Sequence, residues 1–122
     1  MILGLHHVQI PIPPGSEPQA REFYCGLLGI PEAEKPEPLR ARGGLWLQLG
    51  DRQVHIGADP NPPPAASRSH VAYEVTDLAQ WKSTMTAHGF EWRDTETVNG
   101  LIRAETRDPF GNRIEFLQRI ND

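Results

Sequence analysis

The sequence predicts an α+β fold in which two copies of a strand, helix, strands unit form curved mixed sheets with helices on the outer face. Three observations carry this prediction. His7-Val8-Gln9-Ile10-Pro11-Ile12 is echoed by His70-Val71-Ala72-Tyr73-Glu74-Val75. His70 follows His7 by 63 positions, whereas Gly89 follows Gly29 and Glu115 follows His55 by 60, so one three-residue insertion separates two registered halves. Pro13-Pro14-Gly15, present only in the first half, fits that insertion. Finally, His7, His55, His70 and Glu115 each sit opposite the apolar side of their own strand, which puts them on one face of a curved sheet.

In the first copy, Val8, Ile10 and Ile12 alternate with His7, Gln9 and Pro11, the period of a strand with one apolar face. Ser16 stands three residues before Gln19 in capping-box spacing, and Pro18 suits a first helical turn. Ala20, Phe23, Tyr24, Leu27 and Leu28 then form a helical apolar stripe that Gly29 ends. Residues 31–44, with Pro36 and Pro38, read as an irregular loop able to help close a pocket. Leu45, Leu47 and Leu49 alternate with Trp46 and Gln48 as a strand. Gly50-Asp51-Arg52 reads as a turn into Gln53-Val54-His55-Ile56, where His55 takes the polar orientation of His7.

Asn61-Pro62-Pro63-Pro64 is too rich in proline for helix or central strand and marks a linker. The expected organisation is one domain over residues 1–122, with module one at about 4–58, the linker at about 59–68 and module two at about 69–120. In the second copy, Asp77 and Gln80 repeat the cap spacing, and Leu78, Trp81 and Met85 face inward until Gly89. Asn99-Gly100 is a two-residue hairpin signal, and Asp108-Pro109-Phe110-Gly111 turns the chain into a last strand where Ile114 and Phe116 oppose Glu115.

Composition narrows the functional classes. A chain of 122 residues buries roughly 65% of its unfolded surface as one domain. A net charge of -4 and a pI near 5.7 give no basic field for a nucleic-acid backbone. No segment approaches the roughly 20 apolar residues that span a bilayer, and the N-terminus lacks a signal-peptide pattern. With one cysteine, Cys25, no disulfide forms within the chain, and a reducing, cytoplasmic setting is expected.

The repeat makes metal binding the leading chemistry. Imidazole nitrogens and a carboxylate oxygen suit divalent zinc, nickel, manganese or iron at about 2.0–2.2 Å. A single carboxylate leaves the site net positive, so it can bind two neighbouring substrate oxygens and stabilise an oxyanion as it forms. Four ligands leave two of six positions open, while His7, His70 and Glu115 without His55 leave three. Trp46 and Gln48, on one side of their strand, are candidates for the wall around a small ligand, and Phe110 for its cover. Arg103 and Arg107 fit an anionic substrate or a solvated strand face. His6 is expected on the helix side, and His88 at the C-terminal turn of the second helix.

LHHVQIPI, AREFYCGLLGIP, SHVAYEV and DPFGNRIEF together resemble the vicinal oxygen chelate superfamily, which includes glyoxalase, bleomycin-resistance and extradiol dioxygenase proteins. The resemblance covers nearly the whole chain and implies paired βαβββ modules. It also implies a homodimer in which each site takes one module from each chain. The implied metal ligands are His7, His70 and Glu115, with His55 where glyoxalase-type members place another ligand, commonly Glu. Glu115 is thereby implied as the acid or base. The expected function is a glyoxalase-like metal-dependent enzyme acting on a small oxygenated molecule. Alternatives are a metal-independent drug- or metabolite-sequestering protein of the bleomycin-resistance type, an extradiol dioxygenase, or a fosfomycin-type thiol transferase.

Overall fold

The computed structural model describes residues 1–120. The chain divides into two compact units between Pro64 and Ala65. In the first, β1 (His7–Ile12), α1 (Glu17–Ala20), β2 (Glu32–Ala33), α2 (Glu37–Arg40), β3 (Leu45–Leu49) and β4 (Arg52–Ala58) give a sheet of order β1-β4-β3-β2. In the second, β5 (His70–Glu74), α3 (Leu78–Ala87), β6 (Arg93–Val98), β7 (Leu101–Arg107) and β8 (Arg113–Arg119) give β5-β8-β7-β6. The outer pairs β1·β4 and β5·β8 are parallel and the remaining pairs antiparallel, so both sheets are mixed and share one βαβββ topology.

Register shows how closely the halves correspond. His7 pairs with Gln53 and Gln9 with His55. In the second unit His70 pairs with Arg113 and Ala72 with Glu115. Each first-strand histidine therefore stands diagonal to the candidate on its parallel neighbour, near enough for side chains to meet. The antiparallel pairs differ. Gly50-Asp51 closes β3 onto β4 and sets Trp46 opposite His55, whereas residues 108–112 join β7 to β8 and set Glu105 opposite Glu115.

Alternation builds each core. Ile12, Leu45, Leu47, Val54 and Ile56 are buried with Ala20, Phe23 and Tyr24 of the first helical segment. Tyr73, Ala104, Ile114 and Phe116 are buried with Leu78 and Met85 of α3 in the second unit. Asp77 caps α3 by accepting the Gln80 N–H at 3.1 Å, and Asn99 and Gly100 take φ of +51° and +74° in the β6–β7 hairpin, as their residue types require.

The first helix departs from its expected form. Ser16 caps nothing with its side chain; its hydroxyl donates to the Pro13 carbonyl instead. Arg21–Leu27 continues as a π-helix, in which the Leu28 N–H reaches back five residues to the Phe23 carbonyl at 2.9 Å. The wider turn rotates the stripe, leaving Leu27 and Leu28 only half-buried. Residues 31–44 are also more regular than proline content predicts. Glu32 and Ala33 pair with Leu47 and Trp46 as the sheet's last strand, while Pro36 and Pro38 occupy the N-cap and first turn of α2, where no intrahelical N–H is lost.

Candidate functional site

On the polar face of the first sheet, His55 lies between two rings. Its centroid is 4.0 Å from that of His7 at 22° and 4.0 Å from that of Trp46 at 2°. This stack follows from register, since Trp46 pairs directly with His55 and His7 stands diagonal to it. It also explains why a histidine on the polar face is only 6% exposed.

A chain of amides fixes the tautomer of His55. Gln48 Nε2 donates to the carbonyls of Gly50 and Arg52, at 2.8 and 3.2 Å, and carbonyls only accept. Gln48 Oε1 is therefore left to accept from Gln53 Nε2 at 3.0 Å, and Gln53 Oε1 faces His55 Nε2 at 2.8 Å. His55 Nε2 must carry the hydrogen, so the lone pair of the neutral ring is at Nδ1. Burial first, then the charges of the neighbouring histidines and Lys35, holds the His55 pKa below its ordinary value.

That shift has a stability sign. The unfolded imidazole takes up its proton as pH falls through about 6.5, while the folded ring resists until lower pH. The stability contributed is complete above about pH 6.5 and is lost from there down through the folded pKa. Urea unfolding at pH 7 and pH 5 should show the wild type losing more stability on acidification than His55→Phe. Equal losses would remove His55 as the source.

On the second sheet, His70 Nδ1 lies 2.8 Å from the Arg68 carbonyl, so this nitrogen carries the hydrogen and Nε2 is the outward position. Nε2 is 3.1 Å from Glu115 Oε1. A neutral imidazole lone pair facing a carboxylate lone pair is repulsive; a cation between or on them, either a proton or a metal, makes the contact favourable. A histidine that gives its other N–H to a backbone carbonyl is also the usual arrangement of a metal ligand. Glu115 is 8% exposed, with Arg103 Nη1 3.7 Å from its Oε2. Glu105 stands directly across from Glu115, a pairing that would repel if both lacked counter-charges. Arg93 and Arg113 bind Glu105 at 2.6 and 3.1 Å. The hydrogen bond from Arg93 first, with the charge of Arg113, keeps the Glu105 carboxyl below its ordinary pKa.

Each unit thus brings together one candidate pair, His7 with His55 and His70 with Glu115. No group of three or more His, Cys, Asp or Glu side chains placed to hold a metal is found among the described residues. Trp46 joins the first pair, and Gln48 reaches it through Gln53. Phe110 is half-buried in the β7–β8 turn, its N–H donated to Asp108. His6, expected on the helix side, packs edge-on against His7 at 5.2 Å because residue 6 precedes β1 and escapes its alternation. His88 caps α3 as expected, with Nδ1 2.8 Å from the Thr84 carbonyl.

Sequence reasoning overlooked Gln53, Lys35 and Arg42. Gln53 was findable by period two from His55. Lys35 and Arg42 sit in the supposed loop, and with His6, His7, Trp46 and His55 they line a cavity of about 500 Å³ in the first unit.

The profile of the Glyoxalase/Bleomycin resistance protein/Dioxygenase superfamily matches residues 4–116. Among solved structures, a protein assigned to the glyoxalase family from Bacillus anthracis is 40% identical, covers 98% of this chain and 97% of its own, and superposes with a TM-score of 0.88. The lactoylglutathione lyase of Agrobacterium tumefaciens is 19% identical, with 94% and 92% coverage and a TM-score of 0.71. An antibiotic binding protein from Streptomyces sp. CB03234 is also 19% identical, with 98% coverage of both chains and a TM-score of 0.73. These last two likenesses concern the fold alone. A comparison with curated proteins gives no match.

Proposed function

Because the chain belongs to the glyoxalase/bleomycin resistance protein/dioxygenase superfamily, we propose that it is a glyoxalase-like metal-dependent enzyme acting on a small oxygenated molecule. The observation that carries this reading is the His70–Glu115 contact, where Nε2 and Oε1 meet at 3.1 Å and the other ring nitrogen is committed to Arg68. This donor set fits a divalent transition metal. His70 and Glu115 would hold it with His7. His55 would add a fourth ligand only through Nδ1, or through Nε2 once Gln53 lets go. Completion of each pair by the other module of a second copy is the arrangement implied by the family.

The metal, when bound, supplies Lewis-acid stabilisation of negative charge developing on a substrate oxygen. Glu115 is the proposed acid and base: a carboxylate oxygen takes a proton from the substrate carbon beside the carbonyl and returns it to the neighbouring position. Its low exposure excludes most water from that exchange, and Arg103 lies close enough to keep the carboxylate oriented. Gln48 and Gln53 position His55 within its stack between His7 and Trp46.

A second reading is sequestration of a drug or metabolite without metal, favoured by the commitment of His55 Nε2 to Gln53 and by the stacked rings as a binding platform. Elemental analysis of gently purified protein separates the two. About one transition metal per chain, restored after chelation by nickel, zinc, manganese or ferrous iron, is the expected result. Protein that takes up none of these metals would overturn the enzyme reading in favour of sequestration.

A further inference from the structure

We propose that the cavity of the first module is a subsite for a small organic anion, its carboxylate or phosphoryl group held by Lys35 and Arg42 and its body resting on Trp46. The proposal deepens the function above by naming the substrate class, and it rests on this module forming part of the substrate site.

The argument starts from charge. The chain carries 16 acidic and 12 basic side chains, yet this cavity is lined by Lys35 and Arg42 and by no aspartate or glutamate. The nearby carboxylates are engaged elsewhere. Glu32 binds Arg21 and Glu34 binds Arg40, each at 2.9 Å. Glu17 accepts the Gly44 N–H at 2.8 Å. Among the described residues Lys35 Nζ donates only to the Gly43 carbonyl, leaving two of its three donors. The Arg42 guanidinium has no hydrogen-bond or ion-pair partner among the described residues. Glu32 and Glu34 are thus occupied by Arg21 and Arg40, and Lys35 and Arg42 are the two cations at the opening.

Shape agrees with charge. A cavity of about 500 Å³ lies within the range of small-molecule sites. Trp46 and Leu39 give its wall apolar surface for a ligand body. Arg42 offers the planar fork that matches carboxylate and phosphate oxygens, and Lys35 a point charge beside it. The corresponding sheet position in the second module carries Glu105, whose carboxylate already engages Arg93 and Arg113.

The test uses the full chain stripped of metal by a chelator, so that its outcome is independent of metal binding. Benzoate, phenyl phosphate and the neutral benzamide are titrated while tryptophan fluorescence is followed. Benzoate or phenyl phosphate should quench saturably, benzamide should not, and Trp46→Phe should remove the signal. Lys35→Met combined with Arg42→Gln should weaken anion binding by about tenfold or more, with thermal melting confirming the fold. The tighter of the two anions identifies the headgroup. Benzamide binding as well as benzoate, an unaffected double variant, or no quenching by either anion overturns the proposal. Failure of metal uptake with anion binding intact would overturn the metal reading and leave this one standing.

Discussion

Gly44→Ala is expected to destabilise the first module by about 3 kcal/mol or more, read as a fall in the urea midpoint. Two costs combine. Gly44 has φ of +80°, a left-handed backbone that alanine adopts only with strain. A Cβ there would also stand 2.1 Å from the Ile56 carbonyl oxygen and 3.2 Å from Gly57 Cα, both backbone atoms of the strand that carries His55. Neither atom can swing aside as a side chain would. The same residue donates its N–H to Glu17, a bond that holds the Glu17 carboxyl below its ordinary pKa and ties α1 to the start of β3. Gly50→Ala is the control: φ is +60°, but a Cβ meets nothing within 4 Å, so only the backbone term of about 1 kcal/mol remains. Equal effects at the two positions would show that the close approach of residue 44 to β4 does not matter.

Glu115→Gln should leave the fold intact and reduce metal affinity by more than about 100-fold. Loss of an outer-shell partner alone typically costs 10–100-fold, and this substitution removes the proposed anionic ligand itself. Glutamine keeps the volume and one acceptor oxygen, so the environment of Ile114 and Phe116 on the other face is preserved. Competition against a chromophoric chelator gives the affinity, and thermal melting of the metal-free protein checks the fold. Wild-type affinity in this variant would mean that the His70–Glu115 contact is a proton-mediated ion pair only. The proton-transfer role assigned to Glu115 would fall with it, because glutamine at this position has no carboxylate to take up a proton.

What the residues reveal unaided follows from how local each requirement is. The Asn99-Gly100 hairpin, the Asp77 cap and the stop at Gly89 each answer a demand made within a few residues, so their types announce them. The shared strand phase of His7 and His55, and of His70 and Glu115, was legible for a different reason: the repeat supplies a second copy against which that phase can be checked. The short strand Glu32–Ala33 was hidden because it exists only through pairing with Trp46 and Leu47, a tertiary event that proline content does not report. The tautomer of His55 was hidden more deeply. It is set by two carbonyls at residues 50 and 52, passed through two glutamines on adjacent strands, and no spacing rule connects them.

The two connections of unequal length, Gly50-Asp51 in one half and residues 108–112 in the other, decide which side of a strand meets its neighbour. Counting by the repeat, the counterpart of Trp46 is Thr106, yet the residue that faces Glu115 is Glu105. The longer connection has slipped one strand by a single step, and a single step exchanges the two sides of a strand. Here the one-step shift sets an aromatic ring beside His55 in one half and an ion-paired carboxylate beside Glu115 in the other. A repeat of this kind can therefore differ between its halves at a position that strand pairing, and not sequence count, assigns.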